Sequence, residues 1–194
     1  MALPLHLHGL TRKALILAIG LALLGGTAAL AANIGLTDAR MDSRAVIVVA
    51  GGAIHLSNSR AGKAVLVGLD MKPGGSVQGT VKIGARGTKR LQMTLRKNGV
   101  RENAGLAGGK LSQRLLLKVE WLRTGKKKPK VVYLGVLGSM RIVKLGTFKP
   151  KERRTYRLTA YFPDGGPAVG TTGDNAYMGA NLSVEFDWWG RALK

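Results

Sequence analysis

The stretch "DMKPGGSVQGTVKI", from Asp70 to Ile83, decides how this chain folds. Its "PGG" is typical of a tight turn, because proline presets φ and glycine tolerates positive φ. After the turn, apolar or small residues alternate with polar ones as far as Ile83. A period of two places one face of a strand on a core and the other in water. The stretch therefore predicts a turn followed by a half-buried strand.

The same alternation recurs in four further segments. They are "RLQMTLRK" (90–97), "RLLLKVEWL" (114–122), "TYRLTAYF" (155–162) and "NLSVEFDW" (181–188). Shorter apolar segments, broken or bounded by glycine, lie at 45–59, 63–69 and 130–138. About eight to ten short strands joined by turn signals are typical of an antiparallel β-sandwich or barrel. Long glycine-rich loops are expected at 97–110 and 162–177.

The N-terminus has the three-part pattern of a secretory signal. Arg12 and Lys13 precede the uncharged run "ALILAIGLALLGGTAALAA" (14–32), and alanines stand at the two positions that a signal peptidase reads, 29 and 31. We therefore predict a signal peptide over residues 1–31, with signal peptidase as a partner during export. The alternative is an uncleaved membrane anchor, because the apolar run is close to the shortest length that spans a bilayer.

Behind this segment we expect one domain. Residues 32–44, "ANIGLTDARMDSR", are polar and predict a flexible lead-in. Residues 45–190 are numerous enough to bury the core of a single β-sandwich. Because the chain has no cysteine, this core must hold the fold without disulfides.

The chain is strongly basic. Lysine and arginine total 31 against 10 acidic residues, which gives a formal net charge of +21. This excess implies an anionic neighbour such as cell-wall polymer, nucleic acid, acidic polysaccharide or a membrane surface. Three clusters in or beside predicted loops could bind phosphates by counterion release. The candidate polyanion contacts are Arg86, Lys89, Arg90, Lys126, Lys127, Lys128, Lys130, Lys149, Lys151, Arg153 and Arg154. The alternative is that these loops are simply solvated.

Catalytic groups are scarce. His6 and His8 fall in the signal segment, which leaves His55 alone, whereas a histidine-based zinc hydrolase needs two or three such ligands. The carboxylates are mostly isolated, and the pair on one strand face, Glu185 and Asp187, fits a solvated surface better than a glycosidase cleft. We therefore predict no enzyme, no cofactor, no metal site and no small-molecule substrate.

Four segments, in chain order, resemble motifs of one family. The first, "LSNSRAGKAVLVGLDMKPGGSVQGTVKI" (56–83), holds an Asn-Ser pair and a Met-Lys-Pro-Gly turn. The others are "VVYLGVLG" (131–138), "LGTFKPKERRTYRLTAYFP" (145–163) and "GDNAYMGANLSVEFDWW" (173–189). Together they resemble the TasA/camelysin family of exported bacterial matrix and surface proteins, with Lys151 at a usual glycine and Met178 at a usual glutamine. The matching positions are Asn58, Ser59, Met71, Lys72, Pro73, Gly74, Tyr133, Gly135, Leu137, Tyr156, Asp174, Asn175, Tyr177, Gly179, Phe186 and Trp188.

The resemblance implies an all-β, antiparallel jelly-roll-like sandwich behind an N-terminal signal helix. It also implies secretion and assembly into fibres of a biofilm matrix or cell surface. In fibre-forming relatives, an N-terminal strand of one subunit completes the sheet of the next, which an open strand edge permits. The candidate donor strand is Ala45, Val46, Ile47, Val48 and Val49, although the same segment equally fits a strand of its own domain. The metalloprotease activity attached to the camelysin name is not carried over, because no zinc site is visible.

Two functions from different classes follow. The first is an exported structural protein of the cell surface or biofilm matrix, a fibre-forming subunit that assembles with copies of itself by strand addition. The second is a monomeric basic surface module that binds anionic cell-wall polymer or extracellular DNA.

Overall fold

Strands dominate the chain that the computed structural model describes, which is residues 38–48, 55–166, 170 and 172–193. In chain order they are β1 (Asp38–Val48), β2 (His55–Asn58), β3 (Ala64–Gly68), β4 (Ser76–Arg86), β5 (Leu91–Asn103), β6 (Leu116–Leu122), β7 (Lys130–Val136), β8 (Val143–Phe148), β9 (Arg153–Tyr161) and β10 (Asn181–Ala192). Two short helical segments, α1 (Leu111–Arg114) and a 3₁₀ helix (Gly173–Tyr177), lie between strands. The all-β prediction is confirmed.

The strands form two five-stranded sheets. One has the order β3-β1-β10-β5-β8 and the other β2-β4-β9-β6-β7. From β3 to β6, and again from β7 to β10, each strand lies in the opposite sheet to the one before it. Two runs of four strands that alternate between the sheets in this way are the connectivity of a jelly roll. Strands β1 and β2 are additional to these eight. The predicted sandwich is therefore present.

The opening stretch folds as its sequence predicts. The N–H of Gly75 donates to the carbonyl of Lys72 at 2.9 Å, and Gly74 has a φ of +79°, which are the features of a type II turn. In β4, which follows, Val81 and Ile83 are buried whereas Lys82 is exposed. The period-two reading of this strand is confirmed.

The N-terminal strand departs from the prediction. β1 begins at Asp38, so part of the segment expected to be flexible is ordered strand, and Ala45 to Val48 continue it. It lies between β3 and β10 and runs parallel to β10, from Asp38 opposite Asn181 to Val48 opposite Arg191. Strand β10 pairs with β1 along its whole length and β3 pairs with it from Ala39 to Asp42, so β1 has backbone partners that a flexible segment would lack. Val49 lies outside the described residues.

A second departure concerns β5. A loop is expected from residue 97, but the strand continues to Asn103 because β10 offers it a partner along that whole length. Gly99, with a φ of +59°, lies at the register shift between the two strands. The glycine that suggested a loop instead marks a β-bulge.

The core lies between the two sheets. Its largest fully buried side chains are Trp188, Tyr156, Phe148, Phe162 and Phe186. The rings of Tyr156 and Trp188 meet across the sheets at 5.0 Å between centroids. Burial raises the pKa of Tyr156 to about 12, so this phenol stays neutral at ordinary pH.

The predicted signal segment, residues 1–31, lies outside the described residues. Within the part of the chain that the structure describes, no helix is long and apolar enough to cross a membrane.

Candidate anion-binding surface

Three basic loops meet at one end of the sandwich. They are 87–90 between β4 and β5, 123–129 between β6 and β7, and 149–152 between β8 and β9. The strand pairing brings them together: Gly84 lies opposite Arg153, Leu122 opposite Thr155, and Leu91 opposite Phe148. We call this end, with the strand termini beside the loops, the basic end.

The basic end is dense in exposed cations. Ten of the eleven predicted polyanion contacts are exposed there, and Arg191 at the end of β10 joins them. The members are Arg86, Lys89, Arg90, Lys126, Lys127, Lys128, Lys130, Lys149, Lys151, Arg153 and Arg191. The sequence predicted three separate clusters, and the topology makes them one surface.

The loop between β6 and β7 is held in shape by Arg123, a member of the same basic run that is not among the candidate polyanion contacts. The guanidinium of Arg123 donates to the carbonyl of Lys128 from Nε at 2.8 Å and from Nη2 at 2.7 Å. These two bonds close the loop across its base. Lys126, Lys127 and Lys128 are left exposed.

Arg154 corrects the prediction. It is buried rather than exposed, and its guanidinium stacks on Phe148 and Trp121 at 4.1 and 4.2 Å from the ring centroids. It donates to the carbonyls of Leu145 and Thr147 at 2.9 and 2.7 Å. These contacts turn the guanidinium into the fold, and Arg154 is a structural residue.

Only one carboxylate, Glu152, lies in the three loops, and it is already engaged. Its oxygens accept from Arg154 Nε and from the Lys149 N–H, each at 2.7 Å. Partial burial is the largest single influence on the pKa of Glu152 and would raise it, but these hydrogen bonds and the positive charges of Arg154 and Lys149 together lower it. Glu152 is therefore ionised at neutral pH and serves Arg154.

A carboxylate that is buried lies further along the same sheet. Glu120 is 6% exposed, although its strand alternation predicts an outward position. Lys118 reaches it at 2.8 Å and Arg157 at 2.8 and 3.0 Å. The hydrogen bond from Lys118, with the contribution of Arg157, holds the pKa of Glu120 below its ordinary value of 4.5 despite burial.

The opposite end of the sandwich has no comparable charge. Its loops, at 69–75, 104–115, 137–142 and 162–180, carry four cations and three carboxylates. Two of those carboxylates and an amide organise the long last loop: Asp174 Oδ1 accepts from the Gly165 N–H at 2.7 Å, Asp164 from Gly166 at 2.9 Å, and Asn175 donates to the Gly170 carbonyl at 2.8 Å. The positive field is concentrated at one pole.

The family-motif positions are mainly structural in their placement. Met71, Leu137, Tyr156, Phe186 and Trp188 are buried in the core. The remainder lie in the turn before β4, in β7, or in the loop around the 3₁₀ helix, except Asn58 and Ser59, which lie at the end of β2. The Asn58 amide donates to the Ser43 hydroxyl of β1 at 2.8 Å.

Chemistry beyond anion binding has little support in the described side chains. Among them, no group of three or more histidine, aspartate or glutamate residues could hold a metal ion. His55 is exposed at the start of β2, and Asp187, expected on a solvated face, is 6% exposed and accepts from the Asn98 amide at 2.9 Å.

Comparisons with known proteins add little. A scan against protein-family models finds no match, and a search of curated proteins finds none. Among solved structures, the chain is similar to the sporulation control protein Spo0M from Bacillus subtilis at 15% identity and a TM-score of 0.24. That match covers 73% of this chain, which spans 49% of the Spo0M chain. A likeness this distant carries no argument about fold or function, and the TasA/camelysin resemblance stays a prediction.

Proposed function

We propose that this protein is an exported surface module that binds an anionic polymer through its basic end. The observation that carries the proposal is the convergence of three loops from both sheets into one pole with eleven exposed cations. Such a surface neutralises a polyanion by releasing its counterions and needs no catalytic group. Export is argued from the signal pattern of residues 1–31, and binding rather than catalysis from the scarcity of reactive side chains.

Two triple variants of equal charge test the proposal. One replaces Lys126, Lys127 and Lys128 by glutamine at the basic end, and the other replaces Lys72, Lys110 and Arg141 at the opposite end. Affinity for a phosphate polymer is measured as a function of salt. We expect the first variant to flatten the dependence of log K on log salt by roughly two to three, since each lost phosphate contact removes roughly one unit of slope. Equal losses in both variants would show that net charge alone drives binding.

A second candidate function is a fibre subunit that assembles by exchange of β1. The specific observation is that β1 separates β3 from β10, so its removal leaves two unpaired strand edges in the middle of a sheet. A β1 from another copy would fit the same slot with the same side chains. In the single chain the slot is filled from within, and assembly would require this strand to be released first.

Electron microscopy of negatively stained protein tests assembly. Residues 32–194 are compared with a chain that starts at Ser57, and filaments are expected only from the longer chain. Because the protein has no cysteine, Asp42→Cys with Glu185→Cys could lock β1 to its own β10, as the two residues are opposite in register. The locked protein should form filaments only after reduction. Single particles under every condition would reject the fibre role.

A further inference from the structure

The outer face of the sheet formed by β2, β4 and β9 carries a depression beside the basic end. Ser57 of β2, Gly84 of β4 and Arg153 of β9 stand in register across it. Lys82 and Arg86 share that outward face, since side chains of a strand alternate. The depression has a volume of about 180 Å³ and is lined by Ser57, Asn58, Ser59, Lys82, Arg86 and Arg153.

Gly84 forms the floor of the depression, and Ser57 and Arg153 pack directly over it. A Cβ at this position would lie 2.5 Å from Oγ of Ser57 and 3.2 Å from Cγ of Arg153. Gly84 is not among the glycines with positive φ, so its backbone conformation does not require glycine. The absence of a side chain at Gly84 therefore lets Ser57 and Arg153 approach each other, and a larger residue would push them apart. We call the depression with this floor the glycine cradle.

The walls of the glycine cradle carry donors and positive charge. The Ser59 hydroxyl accepts the N–H of Lys82 at 2.8 Å, which fixes its position and leaves it a proton to donate. Arg86 and Arg153 are exposed and bring two planar guanidinium groups, and Lys82 adds an ammonium. None of the described lining residues is acidic. Hydroxyl and guanidinium donors without a carboxylate match the oxygens of a phosphate.

We infer that the glycine cradle binds one phosphodiester group of the polymer, an inference that rests on the proposed function and names its ligand. A phosphodiester offers two non-bridging oxygens to these donors, and its two ester bonds let the polymer continue along the open surface toward the loops. The bases of a single-stranded nucleic acid would need aromatic side chains on which to stack, and the residues that line the cradle include none. The polymer class is therefore a polyol phosphate.

The test uses the full-length chain and three probes of matched charge: a poly(glycerol phosphate), an oligothymidylate and a polyglutamate. Affinities are compared for Arg153→Gln and Lys127→Gln, which remove the same charge inside and outside the cradle. We expect Arg153→Gln to weaken binding of the poly(glycerol phosphate) about tenfold, the effect of losing charge-assisted hydrogen bonds, and Lys127→Gln about twofold. Gly84→Ala should weaken it with no change in charge. Ser57→Ala, which cannot overfill the site, is the second uncharged variant, and the melting temperature of each variant checks its fold.

Each result decides between claims. Equal losses from Arg153→Gln and Lys127→Gln would remove the cradle and leave the proposed function standing. Failure of all three polymers to bind the unchanged protein would remove the proposed function itself. Polyglutamate binding as tight as poly(glycerol phosphate) would overturn the phosphodiester assignment, and tighter oligothymidylate binding would overturn the choice of polyol phosphate over nucleic acid.

Discussion

Two adjacent arginines, Arg153 and Arg154, differ in burial, and we expect them to differ in role for that reason. Arg153 is exposed in the lining of the cradle. Arg154 instead stacks on two aromatic rings and donates to two carbonyls and to Glu152. We expect Arg154→Met to lower the free energy of unfolding by about 3 kcal/mol, because it removes the arginine donor from the carbonyls of Leu145 and Thr147 and takes away one of the two hydrogen bonds to Glu152. Urea unfolding measures the change.

Arg153→Met is the matched control for that prediction. It removes the same charge from the neighbouring position, yet it should leave unfolding nearly unaltered and weaken polymer binding instead. A similar loss of stability in both variants would contradict the internal role of Arg154.

Lys151 combines local strain with exposed charge. Its φ of +61° lies in the left-handed region, which costs an L-residue about 1 kcal/mol. We expect Lys151→Gly to stabilise the fold by about 0.5 kcal/mol, since the greater freedom of glycine in the unfolded chain offsets part of the relief. Lys149→Gly, at a position without positive φ, should not stabilise. The melting temperatures of the two variants are compared. Because both lose one positive charge, a gain in Lys151→Gly alone comes from relief of backbone strain, whereas an equal gain in both comes from reduced charge repulsion.

At the scale of the element, β1 is fixed in its slot by a small polar side chain. Ser43 is 2% exposed, and its hydroxyl accepts from Trp188 Nε1 at 2.9 Å and from the Asn58 amide at 2.8 Å. Ser43→Ala leaves both donors unpaired, with the indole fully buried, so we expect a loss of about 2 kcal/mol. Hydrogen exchange should quicken along β1 before it quickens in β9. Unchanged exchange in β1 would show that the hydroxyl does not hold the strand.

The same serine explains why β1 was misread from sequence. A polar residue at an inward position breaks the apolar alternation, so 32–44 looked like a lead-in. Gly99, in the second half of β5, likewise led to the prediction of a loop from residue 97. Only the pairing with β10 shows that the strand continues past the bulge at this glycine. By contrast, Leu91, Met93 and Leu95 alternate without interruption, and all three are fully buried as predicted. The alternation of apolar and polar residues predicts which face of a strand is buried. It does not predict which strand pairs with it, because that strand comes from a distant part of the chain.

At the scale of the whole molecule, sequence predicted the charge but not its geometry. The sequence shows three basic clusters as separate runs. They lie at one end of the sandwich because β4, β6 and β8 pair with their neighbouring strands, which the sequence alone does not show. The glycine cradle was hidden for the same reason, since Ser57, Gly84 and Arg153 are distant in the chain and adjacent only in register. Arg154 could not be separated from Arg153 by sequence, because both lie in one basic run.

The response to acid follows from how the whole molecule distributes its few carboxylates. Glu120 is buried between Lys118 and Arg157, and its pKa is lowered in the folded state from 4.5. A depressed pKa means that the unfolded chain binds the proton first, so the stabilisation is fully present above pH 4.5 and is lost as pH falls through the folded value. We expect the free energy of unfolding, followed by urea titration at successive pH values, to fall below pH 4.5. Glu120→Gln should lower the free energy of unfolding at pH 7 and make its decrease below pH 4.5 less steep. The control is Glu102→Gln, near the opposite end of the sandwich, which should leave the part of that decrease that is due to Glu120 unchanged. If the free energy of unfolding falls equally steeply below pH 4.5 in the unchanged protein and in Glu120→Gln, then Glu120 does not cause the loss of stability in acid. Repulsion among the cations would then be the cause.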